Sequence, residues 1–379
     1  MRPDVFIVAA EPSGDQLGAQ LARSLRAARE DVNLAGIGGT AMAEAGLPSR
    51  VSTDGLAVLG FVEGLKAYPL VLRKVREVSD YILRADPRAV VLIDGWGFMV
   101  RVAKRLKAKG YRGSIIKFVA PQVWAMRSGR AKVLARHVDH LLSTQLMDAP
   151  FFERAGLPQT YVGNPVFDTD WAAGDEAGFR KRWQLGDRTV IAVCPGSRPA
   201  EIACIASAIL ANGLRVRNAL PDSVLAVSVV DSVRKDVEAM VGDAPVILVP
   251  QSETLDLFAS ADGALACSGT VTSQLAAAGV PTVVFYRLSP LTFAVASRLF
   301  KPDHISLVNI AAGEPLMPEF MQGDIDTDAP ARALIDILQS GPRRVSVSRA
   351  LQAQARRMAA PSSASDAAAA EVLRLIASP

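Results

Sequence analysis

Histidine and cysteine are both scarce in this chain, whose 379 residues contain three of each. His137, His140 and His304 have no partners at the spacing of a metal-binding motif, and the three cysteines lie far from any such spacing. No serine stands in a Ser-His-Asp order around a nucleophile elbow. We therefore expect no metal and no cofactor, and neither metal-dependent nor serine-hydrolase chemistry.

The chain also has no hydrophobic run near the ~18 residues that would span a bilayer. The apolar run Val5–Ala10 is too short for a signal sequence and is followed at once by Glu11. Cys194 and Cys267 end apolar runs, which predicts small buried thiols. Few cysteines and no signal sequence predict a cytoplasmic protein.

Charge is unevenly distributed along the chain, whose net charge is +4. Residues 1–168 hold 23 Lys and Arg against 16 Asp and Glu, a net +7, which leaves −3 for the remainder. A basic half of this kind is typical of proteins that bind nucleic acids, anionic membranes or phosphorylated substrates. A solvated basic surface explains it equally well. Because no aromatic residues interleave the basic helix 100–109, we expect no nucleic-acid binding.

Short β-rich runs alternate with helical patterns through both halves of the chain, which predicts parallel sheets covered by helices. We expect an α/β protein with two Rossmann-like, doubly wound domains that face a central cleft. The predicted domains are residues 1–168 and 187–355, joined by a linker within Val162–Asp187, and a C-terminal helix within 356–379 completes the chain. The predicted strands are Val5–Ala10, Leu34–Ile37, Ala89–Ile93, Ser114–Val119, His140–Ser143, Thr160–Val162, Thr189–Cys194, Ser223–Val230, Val246–Val249, Gly263–Cys267 and Pro281–Tyr286.

Two loops of the second half have the composition of phosphate sites. Gly196, Ser197 and Arg198 follow the strand Thr189–Cys194, so backbone N–H groups and a guanidinium would meet at a helix start. A tight turn with a surface arginine is the alternative. Ser268–Thr270 opens the helix Val271–Ala278 in the same way, and together the two loops would hold a diphosphate from two sides.

One acid of the first half directly follows a buried strand. Asp94 comes after Ala89–Ile93, at the edge where doubly wound sheets bind their ligands. Burial there would tend to raise its pKa, which suits a general base. Capping of the next helix is the alternative interpretation of Asp94.

Two further loops of the first half carry candidate contacts. Ser13, Gly14 and Asp15 follow the first strand at a helix start, where they offer either a ligand contact or ordinary helix capping. Trp124 and Arg127 stand on one turn after Ser114–Val119, which suits a sugar face or a phosphate. A packed tryptophan with a surface arginine is the alternative.

The stretch Leu56–Lys66 is apolar and leads through Tyr68–Val71 into a basic cluster of Arg73, Lys74 and Arg76. Apolar residues beside basic ones are typical of a helix that lies on an anionic membrane. A core helix with a solvated basic face fits the same pattern.

In this order, these loops resemble the lipid A disaccharide synthase family, inverting glycosyltransferases with the two-domain GT-B fold. The resemblance covers nearly the whole chain. The segments that carry it are 10–19, 56–60, 93–94, 120–127, 162–165, 195–202, 268–270, 306–313 and 318–322.

The resemblance implies a reaction and roles for particular residues. The donor would be UDP-2,3-diacylglucosamine, the acceptor 2,3-diacylglucosamine 1-phosphate (lipid X), and the products the β-1,6-linked disaccharide 1-phosphate and UDP. Asp94 would be the base, and Arg198 would stabilise the departing UDP. The UDP-sugar site would comprise Gly196, Ser197, Arg198, Ser268, Gly269, Thr270 and Gln274, and the acceptor or cleft set Ser13, Gly14, Asp15, Trp124, Arg127, Asn309, Glu319 and Gln322.

The resemblance further implies a peripheral protein at the cytoplasmic face of the inner membrane. Members of the family can form homodimers that exchange C-terminal segments. The resemblance therefore makes a homodimer possible for this chain, and the residues alone do not decide it.

The sequence departs from the family pattern at three places, the smallest of which is Val308 in place of a proline. Trp96, Gly97 and Met99 stand where the family usually has Pro, Asp and Asn, and Gln274 replaces a glutamate that accepts hydrogen bonds from the ribose. Two alternatives therefore stay open beside the synthase. One is a paralogue that glycosylates another membrane lipid, and the other is a catalytically silent protein that binds nucleotide sugar or lipid.

Overall fold

The computed structural model of the chain describes residues 2–52, 61–125, 128–288, 293 and 302–377, with 61–68 described only as helix backbone. The described residues form two compact units. Unit 1 contains residues 1–165 and 360–379, and unit 2 contains residues 166–359.

Unit 1 is built on one parallel sheet of six strands in the order β2-β1-β3-β4-β5-β6. One core packs on Phe6 and Val8 and the other on Val5 and Ile7, because alternate side chains of a strand point to opposite faces. The elements are β1 (Val5–Val8), α1 (Pro12–Ala28), β2 (Leu34–Ile37), α2 (Thr40–Glu44), α3 (Phe61–Ala85), β3 (Ala89–Ile93), α4 (Trp96–Ala108), β4 (Ser114–Phe118), α5 (Gly129–Ala135), β5 (His140–Ser143), α6 (Ala149–Arg154) and β6 (Gln159–Tyr161).

Unit 2 repeats this architecture with the strand order β12-β11-β10-β7-β8-β9, again all parallel. Its elements are α7 (Glu176–Arg182), β7 (Thr189–Cys194), α8 (Pro199–Glu201), α9 (Ser207–Ala219), β8 (Ser223–Val229), α10 (Arg234–Val241), β9 (Val246–Pro250), α11 (Thr254–Ser260), β10 (Gly263–Cys267), α12 (Thr270–Ala278), β11 (Thr282–Tyr286), α13 (Leu307–Ala312), β12 (Glu319–Met321), α14 (Ala329–Leu338) and α15 (Gly341–Met358).

The strand order fixes where each unit can bind a ligand. In unit 1, β2 lies on one side of β1 and the strands β3 to β6 lie on the other side. The switch point, where the strand order reverses, therefore lies between β1 and β3. In unit 2 it lies between β7 and β10. Ligands of doubly wound sheets bind at the carboxyl ends of the strands at such a point. The loops that begin at Glu11, Asp94, Pro195 and Ser268 all stand at these two places.

The predicted parallel α/β architecture with two Rossmann-like sheets is confirmed. The predicted strands agree with the structure to within one or two residues at each end, and β12 was not predicted. This strand is three residues long and pairs, among the described residues, with β11 alone, and three residues are too few to show a hydrophobic pattern.

The structure divides the chain differently from the predicted boundaries. The division falls between Pro165 and Val166, and the segment we took for a linker contains α7, which packs on α11 of unit 2. The last helix, α16 (Ala364–Ala377), packs on α1 of unit 1. Ser24 Oγ donates a hydrogen bond of 2.6 Å to Asp366, and Thr160 Oγ1 donates one of 3.0 Å to Glu371.

One helix in the part of the chain that the structure describes is long and apolar enough to cross a membrane by length and composition alone. It runs from Pro199 to Ala219 through a π-helical turn at Ile202–Ala206, and half of its most apolar window is buried inside the protein. Core helices of globular proteins share this composition.

Candidate functional site

A cavity of about 490 Å³ lies at the switch point of unit 2. Its volume is in the range of small-molecule sites. All seven residues that the sequence assigns to the UDP-sugar line this one cavity. They are Gly196, Ser197, Arg198, Ser268, Gly269, Thr270 and Gln274.

The loop after β7 is shaped by Gly196. Its φ is +121°, where L side chains are rarely found, and an added Cβ would lie 2.9 Å from the Cβ of Glu201. Glycine is therefore required here by both conformation and space. The turn that results leads directly into Arg198, the residue that caps α8.

Glu201 changes what this loop offers to an anion. Its carboxylate accepts hydrogen bonds from the backbone N–H groups of Ser197 (2.9 Å) and Arg198 (3.2 Å) and from the Arg198 guanidinium (2.6 Å). The sequence predicted free N–H groups at this turn, and the structure corrects that, because an acid three residues further on already binds them. The Arg198 side chain is 60% exposed, so its guanidinium remains accessible from the cavity.

The loop after β10 presents a different kind of anion site. Gly269 precedes α12, and no side chain caps the helix, so its first N–H groups are left for solvent or a ligand. Gly269 and Thr270 are exposed and line the cavity. A helix of nine residues with an uncapped N-terminus attracts a phosphate.

Several cavity residues had no signal in the sequence. Trp171 and Phe258 form an aromatic pair with ring centroids 6.0 Å apart, and Gln251 and Ser252 follow β9. Gln251 and Ser252 stand at the carboxyl end of an edge strand, which is the feature that could have indicated them. Trp171 lies in the segment we took for a linker, where nothing suggested a ligand.

Both cysteines beside the cavity are buried, as predicted. Burial raises the pKa of Cys194 to about 11 and that of Cys267 to about 12, so both thiols stay protonated at neutral pH. Within the ranges that the structure describes, no group of three or more His, Cys, Asp and Glu side chains is arranged to hold a metal ion.

At the switch point of unit 1, Asp94 stands in an unusual backbone conformation. Its φ is +49° and that of Gly95 is +46°, so two consecutive residues are left-handed before α4 begins. Aspartate tolerates this region better than most side chains. The Asp94 N–H donates to the carbonyl of Phe118 (3.0 Å), which extends the β3–β4 pairing by one residue.

A buried lysine lies beside Asp94. Lys117, in β4, is 1% exposed, and its Nζ donates hydrogen bonds to the backbone carbonyls of Asp94 (2.7 Å) and Phe118 (2.9 Å). Burial lowers the pKa of Lys117 to about 7, while the carboxylates of Asp94 and Glu11 act in the opposite direction. The sequence analysis assigned no role to this residue.

Asp15 is committed to the backbone of another helix. Its carboxylate accepts hydrogen bonds from the N–H groups of Gly39 (2.6 Å), Ala41 (2.8 Å) and Met42 (3.2 Å) and so caps α2. Gly14 is buried against Ile93, and Ser13 is exposed at the start of α1. Of the three residues expected to face an acceptor, only Ser13 is freely accessible.

Trp124 and the residues after Asp94 are also more buried than the sequence suggested. The Trp124 ring is buried, and its Nε1 has no hydrogen-bond partner in the described part of the chain. Met99 is fully buried in the core and does not shape an acceptor surface. Trp96 is half-buried under the guanidinium of Arg130, 5.2 Å from the ring centroid. The predicted contact Arg127 and the apolar stretch 56–60 lie outside the described residues.

Three residues expected to contact the acceptor, or to line the cleft, brace loops of unit 2 instead. Asn309 is fully buried and exchanges two hydrogen bonds with the backbone of Met317. Glu319 accepts from the N–H groups of Ile305 and Ser306, both at 2.8 Å. Gln322 pairs with both backbone groups of Leu288.

The structural neighbours share this architecture. The glycotransferase of kitacinnamycin superimposes with a TM-score of 0.64 over 99% of this chain and 100% of its own, at 16% identity. The UDP-GlcNAc 2-epimerase of Methanocaldococcus jannaschii, solved with UDP-GlcNAc and UDP, gives 0.55 over 92% of this chain and 99% of its own, at 12% identity. The fold is that of the GT-B class, in which two Rossmann-like domains make one enzyme.

Sequence relatives are more specific than the fold. The model of the lipid-A-disaccharide synthetase family matches residues 5–372. A lipid-A-disaccharide synthase of Rhodospirillum centenum is 39% identical over 90% of this chain and 86% of its own. One of Paramagnetospirillum magneticum is 38% identical over 94% and 91%. This chain belongs to the lipid-A-disaccharide synthase family and is a glycosyltransferase.

Proposed function

We propose that this chain transfers the diacylglucosaminyl group of UDP-2,3-diacylglucosamine to 2,3-diacylglucosamine 1-phosphate (lipid X). The products are the β-1,6-linked disaccharide 1-phosphate and UDP. The observation that carries the proposal is the cavity of unit 2, because seven residues chosen from sequence for a UDP-sugar meet there. The curated relatives bear the name of this activity over most of their length.

In this proposal unit 2 binds the donor. The uncapped N-terminus of α12 and the Arg198 guanidinium bind the diphosphate, and charge-assisted bonds of this kind are the strong ones. Glu201 holds Arg198 at the rim of the cavity. As the bond between the anomeric carbon and the diphosphate breaks, UDP leaves with the electron pair, and Arg198 stabilises the charge that develops.

Unit 1 supplies the base. The Asp94 carboxylate takes the proton of the acceptor hydroxyl group. The oxygen of that hydroxyl group attacks the anomeric carbon from the side opposite to UDP, which inverts the configuration. Asp94 is suited to this role because it stands at the switch point and is partly accessible, and because its backbone N–H and carbonyl make the hydrogen bonds to Phe118 and Lys117.

An assay with defined substrates tests the proposal directly. Purified protein is incubated with UDP-2,3-diacylglucosamine and lipid X, and disaccharide 1-phosphate and UDP are quantified. We expect equal amounts of the two. Release of UDP only with a different lipid acceptor would overturn the acceptor assignment, and binding of UDP without any turnover would indicate a silent binding protein.

We also propose that unit 1 associates with anionic membrane. One exposed groove of α3 is lined by Pro69, Leu72, Arg73, Arg76 and Glu77, which places apolar side chains beside two basic ones and one acid. Sedimentation with vesicles tests this proposal. Arg73→Glu with Arg76→Glu should release the protein from phosphatidylglycerol vesicles, whereas retained binding would contradict it. Homodimerisation stays a prediction.

A further inference from the structure

We propose that Lys117 is a positioning residue for Asp94. The buried ammonium group of Lys117 holds the left-handed backbone turn at Asp94 in place. The inference rests on the proposed function, because Lys117 matters for the reaction only if Asp94 is the base. It concerns a residue that the loops and motifs of the sequence did not indicate.

The position of Lys117 in β4 is one that an apolar residue would normally fill. Ile115 and Lys117 point to the same face of the strand, and Ile115 is part of the core. Burying an ammonium costs free energy unless it is well paired, and methionine would fill similar space without that cost. A lysine at this position therefore needs a reason other than packing.

The contacts of the ammonium supply that reason. In the β3–β4 register, Leu92 lies opposite Lys117 and Ile93 opposite Phe118. The side chain of Lys117 thus runs toward the carboxyl edge, where Nζ bridges the carbonyls of Asp94 and Phe118. These are the last residues of the β3–β4 pairing, joined also by the bond from Asp94 N to Phe118 O.

Both chain segments that the ammonium joins leave the sheet in strained conformations. Asp94 has φ +49° at the end of β3, and Val119 has φ +69° directly after β4. Left-handed conformations cost about 1–2 kcal/mol for most residues other than glycine, so the cost is larger at Val119 than at Asp94, since aspartate tolerates them better. Such strain persists only where the surroundings determine it, and it clusters at functional sites. The double carbonyl contact of Lys117 joins the ends of both segments, beside the backbone hydrogen bonds from Asp94 N to Phe118 O and from Val119 N to Leu142 O.

Lys117 acts through Asp94 and not on a substrate. At 1% exposure its side chain is closed off from solvent. The carboxylates of Asp94 and Glu11 both interact with it electrostatically, which favours its charged form. The backbone contact sets where the Asp94 carboxylate stands. A displacement of 1 Å at a reacting group can cost about 10²-fold in rate.

The test compares Lys117→Met with Asp94→Asn in the full chain, using the transfer assay. We expect Lys117→Met to lower kcat about 10- to 100-fold while the KM for the donor and the affinity for UDP change less than about twofold. Ile115→Ala is the matched control, because it opens a cavity on the same face of the same strand. It should lower the melting temperature and leave kcat unchanged.

A double-mutant cycle decides between positioning and an independent effect. If Lys117 acts through the base, Lys117→Met should slow Asp94→Asn no further. Additive losses would overturn the inference, as would a normal kcat in Lys117→Met beside an inactive Asp94→Asn. Should Lys117→Met not fold, Lys117→Gln is judged by the same criteria. Full activity of Asp94→Asn would instead overturn the assignment of Asp94 as the base, and the role of Lys117 with it.

Discussion

The loops after β7 and β10 in unit 2 line an accessible cavity, whereas the turn after β3 in unit 1 is tied to a buried ammonium. In unit 2 the left-handed position of the loop is a glycine, Gly196. In unit 1 the turn after β3 has both Asp94 and Gly95 in this conformation, and Val119, a β-branched residue that disfavours it, adopts it directly after β4. The carboxyl edge of the sheet in unit 2 is suited to receive a charged ligand. The carboxyl edge of the sheet in unit 1 is suited to hold one carboxylate in a fixed place.

The largest expected effect tests unit 1. Asp94→Asn keeps the size of the side chain and its tolerance for a left-handed backbone but cannot accept a proton. We expect kcat to fall about 10²- to 10⁴-fold, with UDP affinity unchanged because we propose that unit 2 binds the nucleotide. Steady-state kinetics and calorimetry measure the two effects.

Asp86 offers a matched control for Asp94. It is also a left-handed aspartate, with φ +44°, but it precedes β3 and pairs with Arg2 at 3.4 Å. Asp86→Asn should leave turnover unchanged. Equal activity of the two variants would remove Asp94 from the chemistry.

The next effect tests unit 2. Arg198→Ala removes the only basic side chain that lines the cavity in the described part of unit 2. We expect about a 10²-fold loss in kcat/KM together with weaker UDP binding, because charge developing on the leaving group loses its partner.

Arg332→Ala is the control for Arg198. Arg332 is 68% exposed and pairs with Asp328 at 2.6 Å, the same separation as Arg198 and Glu201, but it lies away from the cavity. The Arg332→Ala variant should bind UDP and catalyse the transfer at the normal rate. Matching losses in both variants would mean that a general effect of surface charge, and not the cavity, explains the result.

The comparison also shows which features local sequence could indicate. The loops of unit 2 were recognisable because their signal is contiguous: a buried strand, glycine and serine, then a helix start. The strands were recognisable for the same reason, as in Ala89–Ile93. Family resemblance added the order of the loops and the chemistry.

Features that depend on distant contacts were missed or misread. Asp15 resembles a cap of its own helix, yet its carboxylate caps α2, which begins 25 residues later at Thr40. Glu201 reads as an ordinary first-turn acid but occupies the N–H groups expected to bind phosphate. Lys117 stands inside an apolar strand, and only the pairing of β3 with β4 brings it to Asp94.

A third prediction sharpens the description of the unit 2 cavity. Gln274 lines it, and an amide is a poorer acceptor for ribose hydroxyl groups than a carboxylate. Gln274→Glu should tighten UDP binding about 10- to 100-fold, which corresponds to about 1.5–3 kcal/mol. Calorimetric titration with UDP measures it. Unchanged or weaker affinity would place Gln274 away from the ribose.

A fourth prediction uses a buried acid at the carboxyl edge of unit 1. Asp148 follows β5 and is 1% exposed, and its Oδ1 has no hydrogen-bond partner among the residues described. Burial raises the pKa of Asp148 to about 7, although a backbone hydrogen bond with Gln145 acts in the opposite direction. Between about pH 4 and pH 7 the folded chain therefore binds more protons than the unfolded chain, so the free energy of unfolding falls as pH rises.

Asp148→Asn removes this dependence. We expect the variant to be more stable than the original chain by about 1–2 kcal/mol at pH 8, and the difference to shrink toward pH 5, as measured by urea unfolding. Asp86→Asn, at a 61% exposed side chain, is the control and should show no such trend. Parallel pH profiles for the original chain and Asp148→Asn would contradict a buried, protonated Asp148.

The smallest effect tests the strain that distinguishes the edge of unit 1. Val119→Ala keeps only the Cβ of the valine and Val119→Gly removes it as well, so the difference between them reports the backbone preference together with one methyl group. At an ordinary position alanine is the more stable by about 0.5–1 kcal/mol. At φ +69° the order should reverse, with glycine more stable by about 1 kcal/mol, because alanine is strained there. Val133, which is 40% exposed in α5, provides the control pair and should keep the ordinary order. Urea unfolding of the four variants decides the matter, since the same order at both positions would mean that Val119 is unstrained and that Asp94 is the one left-handed residue for which Lys117 is needed.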